Sequence, residues 1–119
     1  MRHRVKKVKF HTKDLDHRTA VLRNLLTSFF THKAITTTEK QAKAIVGEID
    51  RLINVANGDN QMNAIREVMS ILFTKAASVE LFDHVAPKFK DQTSGFTRIT
   101  AIKYRDGDAA KVVKLELVK

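Results

Sequence analysis

The most constraining feature of this 119-residue chain is an apolar pattern that repeats every three or four residues between Glu39 and Ala56. An α-helix completes a turn in about 3.6 residues, so side chains at this spacing lie on one face. The pattern predicts a long amphipathic helix that buries this face against the rest of the protein. The apolar positions are Ala42, Ile45, Ile49, Leu52, Ile53 and Ala56.

The same segment has sequence signals for both of its ends. Thr38 and Gln41 have the spacing of a capping box, and Thr37 is a rival N-cap. Asn57 and Gly58 follow the last apolar position, and either residue can adopt the left-handed conformation that often ends a helix. The predicted helix fills the segment between these two signals.

Another helical segment precedes it in the chain. An N-cap at Asp14 or Asp16 begins this helix, which runs to about Lys33. A short β-branched segment, residues 34–37, follows it and is typical of a strand. The apolar positions that form the buried face of the helix are Leu22, Leu25, Leu26 and Phe29.

Two further helices are predicted in the middle of the chain. The longer covers about residues 61–75, and the shorter covers about residues 78–85 and ends before Pro87, the only proline. Their apolar spacing predicts one buried face on each helix. The side chains expected on these faces are Met62, Ile65, Met69, Leu72 and Phe73 in the longer helix and Leu81, Phe82 and Val85 in the shorter.

Two strands are predicted near the C-terminus. Residues 96–104 and 111–118 are rich in β-branched and apolar side chains, and residues 105–110 join them through an Asp-Gly hairpin turn. In the second strand, Lys114 and Glu116 point away from the apolar face. The element order α-β-α-α-α-β-β predicts an α+β fold with two layers, in which a small three-stranded mixed sheet packs against helices.

The positive charge of the chain is concentrated at its N-terminus. Residues 1–13 contain six Lys or Arg and no acidic residue, so they supply +6 of the formal net charge of +9. We expect an extended, mobile basic arm in front of a single globular α/β domain, residues 14–119, and such arms commonly bind nucleic acid. The candidate RNA-binding residues of the arm are Arg2, His3, Arg4, Lys6, Lys7, Lys9, His11 and Lys13.

The chain lacks the residues that several classes of function need. The chain has no cysteine, its five histidines lack the spacing of a zinc site, and it has no glycine-rich phosphate loop or nucleophile elbow. We therefore expect no catalytic activity, no metal or cofactor and no small-molecule substrate. No segment has the roughly 18 apolar residues of a membrane span, and no signal-peptide core follows the basic start. We expect a cytoplasmic protein with no membrane contact.

The predicted domain offers further cations that suit a polyanionic partner, although each is equally well explained as solvated surface. Phe96 lies among them, where it can either stack on an unpaired base or pack in the core. The candidates are His17, Arg18 and Arg23 on the first helix, Lys40 and Lys43 on the second, and Lys88, Lys90 and Arg98 around the loop before the first hairpin strand.

Short motifs in a fixed order extend over nearly the whole chain. They are Met-Arg-His-Arg at residues 1–4, His-Arg at 17–18, Leu-Arg-Asn at 22–24, Ile-Thr-Thr-Thr at 35–38, Ala-Lys at 42–43, Gly-Phe-Thr-Arg-Ile at 95–99, Arg-Asp-Gly-Asp-Ala at 105–109 and Glu-Leu-Val at 116–118. In order and spacing they resemble the family of the bacterial ribosomal large-subunit protein numbered seventeen. Residues 5–10 depart from the family pattern, as do Asn54 and Asn57 near the end of the second helix.

The resemblance implies a two-layer α/β fold and a structural, non-enzymatic role in the large ribosomal subunit. It also implies that the basic N-terminal segment binds large-subunit rRNA, near the rim of the peptide exit tunnel and beside neighbouring large-subunit ribosomal proteins. A free-standing, nucleoid-type nucleic-acid-binding protein is the alternative. An RNA-modifying enzyme is a third hypothesis, which the missing catalytic motifs disfavour.

Overall fold

The computed structural model describes residues 14–119, in which helices cover one face of a three-stranded sheet. The predicted arm, residues 1–13, lies outside the described residues.

Helix α1 spans Leu15–His32 and begins and ends as the sequence predicts. The side chain of its N-cap, Asp14, accepts a hydrogen bond from the backbone N–H of Asp16 at 3.0 Å. Lys33 ends the helix in the left-handed conformation, with φ of 64°. The buried residues of α1 are Leu26, Phe29 and Phe30, while Leu22 and Leu25 are partly buried against the core.

Strand β1 (Ala34–Thr38) leads directly into helix α2 (Glu39–Ala56), whose predicted bounds and six buried positions are confirmed. Thr38 is the N-cap residue, but its side chain makes no capping hydrogen bond. Instead, Thr37 Oγ1 donates to Gln41 Oε1 at 2.6 Å, so the predicted capping box is wrong.

The prediction of a left-handed end to α2 is also wrong. Asn57 has φ of −88° and donates its backbone N–H to the carbonyl oxygen of Ile53, and Gly58 does not have a positive φ. The last turn therefore closes by ordinary helical hydrogen bonding.

The middle of the chain differs most from the prediction. Helix α3 spans Gln61–Ile71 and ends four residues early, because Thr74 accepts a hydrogen bond from the N–H of Ala77 and thereby caps a separate helix, α4 (Lys75–Glu80). A π-helical turn (Leu81–Val85) continues α4, and a 3-10 turn (Ala86–Phe89) follows it.

The predicted buried face of α3 is wrong for most of its residues. Ala64, Val68 and the following Leu72 face the core. Four of the five side chains expected there are exposed instead: Met62 (64% exposed), Ile65 (43%), Met69 (54%) and Phe73 (48%). The prediction for the next helix fits better, since Leu81 and Val85 are buried and Phe82 is partly buried.

The sheet has the strand order β1-β3-β2, with β2 at Thr97–Tyr104 and β3 at Lys111–Leu117. Both pairings are antiparallel, so the predicted mixed sheet is wrong. Gly107 (φ 98°) and Ala109 (φ 54°) have left-handed conformations in the hairpin between β2 and β3.

The helices cover the apolar face of the central strand. Val113 and Leu115 of β3 are buried in the core with residues of α1 and α2, whereas Lys114 between them is exposed. The α+β fold is therefore confirmed, and the opposite face of the sheet is open and polar. Strand β2 lies at the edge, and its residues after Thr97 are all exposed.

Candidate nucleic-acid interface

The open face of the sheet places two cations on one carboxylate. Arg98 of β2 lies directly across from Glu116 of β3, and its Nη2 donates to Glu116 Oε1 at 3.1 Å. Lys114, two residues before Glu116 and therefore on the same face, reaches Oε2 at 3.1 Å. The Lys114 ammonium, followed by the Arg98 guanidinium, holds the pKa of Glu116 below its usual value. This cluster therefore keeps an ionised acid at neutral pH and has a net charge of +1.

A second cluster at the start of α2 repeats this arrangement. Glu39 Oε1 lies 3.0 Å from Lys43 Nζ and 3.9 Å from Lys111 Nζ of β3. Hydrogen bonding by Lys43 is the main reason why the pKa of Glu39 is lowered. Lys40, on the next position of the helix, is exposed and makes no salt bridge within residues 14–119. Each shared carboxylate therefore neutralises one of two nearby cations and leaves its cluster with a net charge of +1.

The third basic region surrounds the end of the 3-10 turn. Lys88 and Lys90 are exposed on either side of the buried Phe89. The C-terminal Lys119 lies 3.4 Å from Asp91 Oδ1, and its Nζ stands 5.6 Å from the centre of the Phe89 ring. The ammonium groups of this region are therefore at the surface while the aromatic ring beneath them belongs to the core.

Phe96 is a core residue, so of the two roles that the sequence allows for it, base stacking and core packing, the structure has core packing. Its side chain has no exposed surface and meets Phe89 edge to face, with ring centres 5.1 Å apart. Its backbone oxygen accepts a hydrogen bond from Val118 N–H at 3.0 Å. Burial raises the pKa of the nearby Asp50 carboxyl, while the backbone N–H groups of Phe96 and Gly95 act in the opposite direction. These contacts fasten the loop to the body and leave no ring surface for a base.

Arg23 on α1 already has partners within the fold. Its Nε donates to the carbonyl oxygen of Ile71 at 2.7 Å, and its guanidinium carbon lies 4.1 Å from the centre of the Phe73 ring. Arg23 therefore joins α1 to the end of α3. Nearer the start of α1, His17 is exposed and Arg18 is half-buried.

The structure brings Arg98 together with Lys114, and Lys43 with Lys111. Within residues 14–119, the α1 cation Arg23 contacts Ile71 and Phe73 rather than the charged residues of the sheet. Sequence reasoning missed Lys111, Lys114 and Lys119 as candidate contacts. The alternation of β3 already placed Lys114 on the charged face, but the shared carboxylates depend on strand pairing.

Within residues 14–119, no group of three or more His, Cys, Asp or Glu side chains could hold a metal ion. In the same part of the chain, none of the helices is both long and apolar enough to cross a membrane.

A small α+β protein with surplus cations at the open sheet face, at the start of α2 and beside the 3-10 turn belongs to the class of candidate nucleic-acid-binding proteins. Comparison with known families is more specific. The family profile for ribosomal protein L17 matches residues 21–118, and the chain belongs to this family.

Three relatives illustrate the similarity, and each is named large ribosomal subunit protein bL17. The Desulforudis audaxviator protein is 43% identical over 104 residues, which cover 87% of this chain and 91% of the relative. The Rubrobacter xylanophilus protein is 42% identical over 106 residues, or 89% of this chain and 87% of the relative. The protein of Clostridium botulinum strain Loch Maree is 43% identical over 104 residues, or 87% of this chain and 90% of the relative.

Proposed function

We propose that this protein is a structural component of the large ribosomal subunit and that it binds large-subunit rRNA. The observation that carries the proposal is membership of the ribosomal protein L17 family over residues 21–118. The relatives that match most of the chain are named as large ribosomal subunit proteins. On this proposal the protein acts as part of the ribosome in the cytoplasm and catalyses no reaction.

The charge distribution supports rRNA as the direct partner. Residues 1–13 supply +6 of the net charge of +9. Lys and Arg side chains that neutralise phosphates release condensed counterions, which gives tight and salt-sensitive binding without base recognition. The arm therefore supplies much of the affinity, and the cations of the described residues supply position.

The shared carboxylates support a positioning role for the two cation clusters. Glu116 holds Arg98 and Lys114 in place, and Glu39 does the same for Lys43 and Lys111. A cation that is already oriented loses less conformational freedom when it meets a phosphate. Phosphate contacts from these two clusters would fix register and orientation, so we expect recognition of RNA shape and backbone with few base-specific contacts.

The remaining cations extend the proposed contact surface. His17 and Arg18 would extend the RNA contacts of the arm, because α1 follows the arm directly in the chain. Lys40, Lys88 and Lys90 are exposed and available to phosphates. We expect this surface to lie near the rim of the peptide exit tunnel, beside other large-subunit proteins.

The salt dependence of RNA binding tests the proposal. We would compare the protein with a variant in which the six Lys and Arg of residues 2–13 are Gln, using a folded large-subunit rRNA fragment at several salt concentrations. If each cation neutralises one phosphate, the slope of log K against log salt should fall by as much as ~4–5, from about 0.7–0.9 per contact. A matched variant, Lys75→Gln, changes one exposed cation outside the proposed surface and should leave the slope unchanged.

An unchanged slope in the arm variant would exclude the arm as the main electrostatic element. Equal affinity of the native protein for folded rRNA and for random duplex DNA would favour the nucleoid-type alternative instead.

A further inference from the structure

Helix α3 has two apolar faces, and the fold uses one of them. Ala64 and Val68 point into the core, whereas Met62, Ile65 and Met69 are 64, 43 and 54% exposed. The exposed three stand at positions i, i+3 and i+7, which form a continuous stripe on a helix. Contiguous exposed apolar surface on a soluble protein marks an interaction site more often than isolated exposed side chains do.

Ile65 and Met69 of this stripe form one wall of a groove, which we call the α3–α4 groove. Val79 of α4, 43% exposed, and the partly buried Phe82 form the other wall. A hollow of about 220 Å³ lies between Ile65, Met69, Val79 and Phe82. A second hollow of about 440 Å³ shares Ile65, Phe82 and Asp83 with the first, and Lys90 also lines it. The 11 residues of α3 give the groove a length of ~16 Å, enough for about three turns of a second helix.

The charges around the groove argue against RNA as its occupant. Residues 57–87 carry two basic and four acidic side chains, a net charge of −2 in a chain of +9. Asp83 lines both hollows and makes no salt bridge within residues 14–119. Lys75 and Lys90 stand at the two ends of the groove. An apolar wall with a central carboxylate repels a phosphate backbone and suits a cation flanked by apolar groups.

The net charge of the protein also argues against a second copy. Two chains that each carry +9 repel one another, and the small acidic segment cannot offset that repulsion. A partner that brings a basic side chain to Asp83 instead gains an ion pair with a carboxylate that makes no salt bridge within residues 14–119.

We propose that the α3–α4 groove binds an amphipathic helix of a neighbouring large-subunit protein, with a Lys or Arg of that helix opposite Asp83. This proposal rests on the proposed function, because the ribosome supplies the neighbour. Recognition is of the helix-in-groove kind, in which apolar side chains at i, i+3 and i+7 enter a hydrophobic groove. Met69 suits this role because its flexible thioether side chain adapts its shape to an incoming partner.

Site-specific photo-crosslinking in purified large subunits tests the proposal. A benzoylphenylalanine at position 69, inside the groove, should crosslink to one peptide of another large-subunit protein. That peptide should have helical apolar spacing and at least one Lys or Arg. The matched control places the same group at position 63, since Asn63 is exposed on α3 about 120° around the helix from Met69. The control should not crosslink to that peptide.

Two exposed-site variants test the charge complementarity. Ile65→Lys and Ile65→Asp remove the same apolar side chain, but the lysine repels a basic helix near Asp83 and the aspartate does not. Crosslinking from position 69 should therefore fall about tenfold further in Ile65→Lys than in Ile65→Asp, a difference of ~1.4 kcal/mol in binding. Equal losses in the two variants would contradict the basic partner.

Several outcomes would overturn the groove proposal while the protein stays in the subunit. They are a crosslink from position 69 to rRNA, to a second copy or to residues 1–13 of the same chain, and the absence of any crosslink. Absence of the protein itself from the large-subunit fraction would instead remove the proposed function, and the groove proposal with it.

Discussion

Truncation of Phe96 distinguishes a core residue from a base-stacking residue. The ring has no exposed surface and lies 5.1 Å from the Phe89 ring, centre to centre. Replacing a buried Phe by Ala typically costs about 3–5 kcal/mol, because apolar contacts are lost and a cavity remains. For a protein of this size, 1 kcal/mol corresponds to about 4 °C in Tm. Phe96→Ala should therefore lower Tm by ~12–20 °C in thermal unfolding followed by circular dichroism.

The matched control for this variant is an exposed aromatic residue on the same hairpin. Tyr104 is 68% exposed, so Tyr104→Ala should change the free energy of unfolding by less than about 0.5 kcal/mol, or ~2 °C in Tm. The milder variant Phe96→Leu should stay folded and bind RNA with native affinity. A native Tm in Phe96→Ala, together with a loss of RNA affinity worth the ~1–3 kcal/mol of a stacked base, would refute the reasoning.

Two further predictions concern the core of α2 and the tip of the hairpin. Ile49 has no exposed surface, so Ile49→Asp buries an unpaired charge at a cost of several kcal/mol and should unfold the protein, whereas a native Tm would contradict the orientation of α2. The Arg105 side chain, which bonds both carboxylate oxygens of Asp108, holds the pKa of Asp108 at about 2. Because this folded-state pKa is lowered, the stabilisation is present above the unfolded value of 3.8 and is lost as pH falls towards about 2. Arg105→Gln should raise the pKa of Asp108 in carboxyl NMR titrations. The variant should also lose less stability than the native protein as pH falls below 3.8, because the ion pair is no longer there to be lost. An unchanged pKa of Asp108 would contradict the ion pair.

Much of the fold follows from local pattern. The 3.6-residue period of α2 and the alternation of β3 predicted which side chains are buried, because each pattern has one apolar face. Helix α3 has apolar residues on two faces, so periodicity alone could not decide between Ala64 with Val68 and Met62 with Met69. The packing of α3 against its neighbours makes that choice, and this packing is not encoded in the spacing.

Strand direction and the candidate site depend on tertiary structure in the same way. The short hairpin loop requires β2 and β3 to be antiparallel, but the direction of β1 depends on how three helices return the chain to the sheet. The sequence supplied Arg98 and Lys43 as candidates. Their pairing with Glu116 and Glu39, and the recruitment of Lys114 and Lys111, arise when the strands pair.

Sucrose-gradient sedimentation of a cell lysate, with the protein quantified by mass spectrometry after a moderate-salt wash, tests the central proposal most directly. The proposed function predicts stoichiometric amounts in the large-subunit and whole-ribosome peaks. Recovery mainly at the top of the gradient, or together with DNA, would contradict it.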